Sequence, residues 1–138
     1  MSTALLVSNV FQGILTQVSP PTTNTYVALP TLVDLYHEEI VRQADDLPLN
    51  DQVFTTIRSI FIANITGADA TFSIYASSNN SGVYSAREAL FYNTVVKLET
   101  TTQIHAEIPL NRFQTIGVQT GTANALVFTF FGEVTEGE

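Results

Sequence analysis

Cysteine and tryptophan are both missing from this chain, and charge is scarce. Without cysteine there are no disulfides and no thiolate metal sites, so stability has to come from packing or assembly. Only 13% of the residues are charged, about half the usual share. Basic residues are rarest: Lys97, Arg42, Arg58, Arg87 and Arg112 stand apart and form no patch. Set against 13 acids, they leave a net charge of −8. Nucleic acid is then a poor partner, because phosphate binding needs clustered Lys and Arg. The acidity suits solubility or a match to a basic surface. No apolar run approaches the roughly 20 residues that span a bilayer, so no membrane partner is expected. The opening MSTALLVSNVFQG has no basic leader, and Ser8 and Asn9 interrupt its apolar run. It does not read as a signal peptide, and synthesis in a cytoplasm is expected.

The residues of catalysis are just as thin. The 7 glycines are scattered singly, with no phosphate-cradling loop. No serine sits in a G-x-S-x-G setting. His37-Glu38-Glu39 puts a histidine beside acids, but a metal needs three or four converging ligands and neighbours on one element diverge. A solvated helix face explains the cluster. His105 and Glu107 share one face of an expected strand, and a polar strand face explains them equally well. Asn64-Ile65-Thr66 and Asn79-Asn80-Ser81 match the glycosylation pattern, which reads as chance without a secretory leader. No catalytic, cofactor-binding or metal-ligating residue is expected.

What the chain does have is apolar content, 45%, in 138 residues. That is one domain burying roughly two-thirds of its unfolded surface. Its polar residues are mostly Thr, Ser, Asn and Gln. Such a surface fits an all-β protein with an uncharged outer face, or one that lies against neighbours, where charge is depleted.

The organising stretch runs over residues 54–76, FTTIRSIFIANITGADATFSIYA. In its second half Phe72, Ile74 and Ala76 alternate with Thr71, Ser73 and Tyr75, the period of a half-buried strand. The first half turns almost wholly apolar at Ile60-Phe61-Ile62-Ala63, as a strand covered on both faces would. The five-residue break 66–70, with one glycine, suits a hairpin loop. A central β-hairpin is therefore expected.

Around it, residues 4–18 are apolar-rich but fit neither period, and Gly13 would weaken a helix by about 1 kcal/mol relative to Ala. Two short strands or an extended arm fit better. Two prolines, Pro20 and Pro21, break the chain, and residues 26–29 form a short edge strand. Thr31 and Asp34 give a helix-start signal, with Leu32, Leu35, Tyr36, Glu39 and Ile40 at helical spacing. A short helix near 32–43 is favoured over a strand, and residues 44–52 read as an acidic loop. Later strands are expected near 91–92, over 94–99, 103–108 and 115–120, and over 125–134. Turns separate them at 77–82, 109–112 and 121–124, and residues 135–138 read as a frayed acidic tail. Short strands at near-regular spacing indicate an antiparallel β-sandwich of jelly-roll or immunoglobulin-like type. The division is an arm or edge strands over 1–30, a sandwich over 31–135 and a tail over 136–138.

From Phe54 to Val134 the chain resembles a family of small structural proteins of tailed bacteriophages. The family's strand "S-I-F-x-x-N" reads here as Ser59-Ile60-Phe61-Ile62-Ala63-Asn64, and its "A-T-F-x-I" as Ala70-Thr71-Phe72-Ser73-Ile74. Its Tyr-rich strand is matched by Phe91-Tyr92, and its "T-x-x-L" segment falls over residues 94–98. Its close is matched by Val118, then Gly121-Thr122-Ala123-Asn124, Phe128 and Phe131-Gly132-Glu133-Val134. The resemblance covers a little more than half the chain. It implies a β-sandwich virion component that decorates the capsid or belongs to the neck, tail or fibre, in many copies and without catalytic residues. On that basis the expected function is capsid decoration or cement, in a virion assembled in a host cytoplasm. The expected partners are the major capsid protein or tail proteins, together with further copies of this chain. Contacts are expected from Leu5, Leu6, Val7, Val10, Phe11, Ile14, Leu15 and Val18, then Tyr26 and Val27, because an added strand supplies main-chain hydrogen bonds. A tail, neck or fibre protein is the alternative within the virion. A carbohydrate-binding module acting through Tyr75, Tyr84 and Tyr92 is the alternative of another class.

Overall fold

The computed structural model describes residues 7–29, 53–77, 84–111 and 114–137. The helix expected near 32–43, the acidic loop after it, and His37 with its neighbouring glutamates lie outside those residues. Among the described residues, eight strands run in the order β1 (Val7–Val18), β2 (Tyr26–Leu29), β3 (Val53–Asn64), β4 (Ala70–Ser77), β5 (Ala89–Val96), β6 (Thr101–Asn111), β7 (Thr115–Thr120) and β8 (Leu126–Gly137). They form two four-stranded sheets, β1-β8-β3-β6 and β2-β7-β4-β5, with every pairing antiparallel. The protein is mainly β, as its alternating sequence implied.

The pairing is nested. β1 pairs with β8, β2 with β7, β3 with β6 and β4 with β5. The described strands thus pair as one long antiparallel ribbon, four out and four back. It is wrapped so that β8 also meets β3 and β7 also meets β4. An immunoglobulin-like sandwich divides its strands quite differently between its sheets. The order here is a jelly roll.

The expected hairpin of β3 and β4 is therefore corrected: the two runs are strands, but they belong to different sheets. The five-residue connection carries the chain across the sandwich. β3 is already occupied by β8 and β6, and β4 by β7 and β5, so neither has an edge left for the other. The turn is pinned by Asn64, a buried side chain. Its amide donates to the carbonyls of Ala68 (2.9 Å) and Val96 (3.0 Å), and its Oδ1 accepts from the N–H (2.9 Å) and hydroxyl (2.7 Å) of Thr66. A residue so enclosed is no glycan acceptor.

The core lies between the sheets. Ile57, Ile60, Ile62, Phe128, Phe130 and Val134 project from one, and Phe72, Ile74, Val96, Ile116 and Val118 from the other. Phe72 bridges them edge-on to Phe128, with ring centroids 6.1 Å apart. Each such fully buried phenylalanine contributes about 1.5–3 kcal/mol by leaving water.

Local irregularities explain the remaining differences from the sequence reading. Residues 4–18 fit no period because β1 is a single strand broken by register shifts at Asn9/Phe11 and Ile14/Thr16, with Gly13 at φ +139°. Residues 91–92 and 94–96 belong to one strand, β5, interrupted at Asn93, whose φ is +49°, while residues 97–99, expected to continue a strand, lie in the turn after it. β6 runs through Pro109, which was expected in a turn. β6 is an edge strand, where a missing N–H is tolerated. Residues 135–137 extend β8 rather than fray, since β1 and β3 flank that strand on both sides. Ile60 and Ile62 face the core while Phe61 and Ala63 face outward and are half-buried, so β3 is covered fully on one face, not two.

Candidate assembly surface

The outer face of the β1-β8-β3-β6 sheet carries an apolar step beside an ionic cluster. β8 alternates strictly: Leu126, Phe128 and Phe130 go inward, and Val127, Thr129 and Phe131 outward. Phe131 meets Phe61 of β3 edge-on, with ring centroids 5.4 Å apart. Ile14 stands opposite Phe131 in the register and is 52% exposed. With Gln17 and Thr129, joined by a 2.9 Å hydrogen bond from the Gln17 amide, these side chains line a shallow depression of about 250 Å³.

A β-bulge lies one step along β3. The register shifts between Ile57 and Ser59 on both sides: against β8 Arg58 is the extra residue, and against β6 it faces the two residues Ala106 and Glu107. Bulges re-aim side chains, and Arg58 uses this one to reach both neighbouring strands. It donates to Glu133 of β8 at 2.8 Å and pairs with Glu107 of β6. The hydrogen bond that Arg58 donates to Glu133 is the main cause that raises the Arg58 pKa above its ordinary value. The cluster is exposed, so its worth lies in ordering this face rather than in stability.

The second exposed apolar row is on β5, an edge of the other sheet. Leu90 and Val95 stand out from it, Leu98 follows in the next turn, and Ile65 is exposed in the β3–β4 turn. No lysine or proline blunts this strand, and its defence against further pairing is the irregularity at Asn93.

The structure divides the residues expected to make contacts. Leu5 and Leu6 lie outside the described residues, and Val7, Val10 and Phe11 lie within β1. Ile14 and Tyr26 are exposed. Leu15 is buried in the core, Val18 packs against it, and Val27 is half-buried. Sequence reasoning missed Phe61 and Phe131, which read as core because they are aromatic and sit in apolar runs. A signal was present: Phe131 is out of phase with Phe128 and Phe130.

Of the three tyrosines considered for glycan contact, Tyr75 is buried and donates to Gln119 Oε1 (2.7 Å). Tyr84 stacks on Tyr75 at 5.7 Å and lies across Gly117. Tyr92 is the exposed one. His105 and Glu107 do share a face of β6, but Glu107 serves Arg58 and His105 bonds the Gln103 amide. Among the described residues no three His, Asp or Glu side chains gather as metal ligands, and no helix is long and apolar enough to cross a membrane.

No family model matches the chain, and no curated protein matches it. Solved structures do. The virus-like particle of the giant freshwater prawn Macrobrachium rosenbergii extra small virus is similar over all of this chain and 83% of its own, at 12% identity and TM-score 0.41. A pentameric capsid protein from metagenomic phage sequences is similar over 99% of this chain and 64% of its own, at 8% identity and TM-score 0.35. The nucleoplasmin-like N-terminal domain of Drosophila FKBP39 is similar over all of this chain and 94% of its own, at 9% identity and TM-score 0.35. Likenesses this distant speak to neither family nor function.

Proposed function

We propose that this chain is a structural component of a virus particle, a decoration protein set in many copies on the head lattice of a tailed phage. The observation that carries the assembly reading is the placement of large apolar side chains on the outside of a sandwich whose core is already full. Ile14 with Phe61 and Phe131 on one sheet, and Leu90 with Val95 on the edge of the other, have nothing left to bury against within the described residues. In a chain with 13% charged residues, such faces suit repeated contact with copies and neighbours. The virion reading adds the resemblance of residues 59–64, 70–74 and 118–134 to phage structural proteins.

The test is to raise antibodies against the chain and label purified particles of the phage that encodes it. Label spread over the head supports decoration. Label at one vertex replaces it with a tail or neck role, and particles that lack the protein overturn both.

A further inference from the structure

The outer face of the β2-β7-β4-β5 sheet holds a groove of about 300 Å³ that the assembly reading does not use. It lies among Thr71 and Ser73 of β4, Tyr92 and Asn93 of β5, and Gln119 and Thr120 of β7. The size is at the small end of ligand pockets. No Asp, Glu, His, Lys or Arg lines it, so neither a phosphate nor a metal ion finds a counter-charge there.

The polar groups fall into two sets. Gln119 is consumed: its Oε1 accepts from Tyr75 and its Nε2 donates to the Thr23 carbonyl. It forms a fixed wall. Ser73, buried at the floor, accepts the Asn93 N–H at 2.9 Å and keeps its own hydroxyl proton to give. The Asn93 amide and the Thr71 hydroxyl make no hydrogen bond among the described residues. Asn93 is held at φ +49°, where a non-glycine residue is strained, at the point where β5 breaks register with β4. Beside it Tyr92 is 57% exposed and offers a ring face.

We infer that this groove binds one ring of a neutral saccharide, a hexopyranose at the end of a glycan. An amide supplies a donor and an acceptor together, and two hydroxyls can do either, which matches vicinal sugar hydroxyls. The tyrosine ring covers the C–H face of the pyranose. The inference does not rest on the virion role, since a soluble monomer would have the same groove.

The experiment uses the full-length chain, ¹⁵N-labelled, titrated by NMR with the methyl glycosides of glucose, galactose, mannose and N-acetylglucosamine. At least one should bind with Kd of about 1–10 mM and shift the amides of Ser73, Tyr92, Asn93 and Gln119. Tyr92→Ala and Asn93→Gly should each weaken it by about tenfold. The glycine accepts the positive φ, so the backbone is kept while the amide is lost. Leu90→Ala, on the same strand, should leave binding unchanged. Failure of all four sugars to bind, shifts centred on another face, undiminished binding by both groove variants, or tighter binding of glucose 6-phosphate than of glucose would each overturn the inference.

Discussion

Replacing Asn64 by alanine should cost this protein about 2–4 kcal/mol. The residue is 3% exposed and makes four hydrogen bonds that close the passage from β3 to β4. The Val96 carbonyl belongs to a fully buried residue, and an orphaned buried acceptor costs about 1–3 kcal/mol. Losing the paired bonds from Thr66, which shape the turn, adds about 0.5–1.5 kcal/mol. Urea denaturation followed by circular dichroism measures the sum. With a slope of about 2 kcal/mol per molar, the midpoint should fall by about 1–2 M. Asn64→Asp separates hydrogen bonding from shape. It keeps the acceptor for Thr66 but turns an oxygen toward the carbonyls of Ala68 and Val96, so at neutral pH it should be at least as damaging as alanine. An aspartate variant as stable as the parent, or an alanine variant that loses less than about 0.5 kcal/mol, would refute the pinning role.

Gly132→Ala should destabilise by about 1–3 kcal/mol or more. Its Cβ would collide with the Thr56 backbone carbonyl and come within 3.0 Å of the Ile57 Cα, both on the neighbouring strand. Gly67→Ala, in open space, should be nearly neutral, and thermal melts of the pair check the contrast. Burial chiefly raises the Tyr84 hydroxyl above its ordinary pKa of 10.0. The folded state then holds that proton longer than the unfolded chain. The Tyr84 contribution to stability should therefore be flat below about pH 10 and decline above it, while Tyr84→Phe should flatten that alkaline decline in a denaturation series against pH. Ile14→Lys places a charge on the outer apolar step and should leave the melting temperature within a few degrees. Sedimentation should show the assembled fraction falling, and an unchanged distribution would remove Ile14 from the contact surface.

Much of the strand pattern was legible, because alternation is a local property. Residues 26–29 and 115–120 come out as β2 and β7 with the same bounds. The candidate surfaces were legible only in pieces. Ile14 and Leu15 read alike in the sequence, yet the two face opposite ways. Tyr92 reads in the sequence like Tyr75 and Tyr84, which the fold covers.

By itself the sequence determined that this is a cysteine-free β-sandwich with a full apolar core, since side-chain period and turn residues act over a few positions. The partners of each strand were decided by the tertiary structure alone. A five-residue connection serves a hairpin or a crossing equally well, and the choice depends on strands far along the chain, β8 for β3 and β7 for β4. The same holds for the step at Ile14, Phe61 and Phe131 and for the groove between β4, β5 and β7. Register and bulges, fixed by distant neighbours, choose which face each side chain takes.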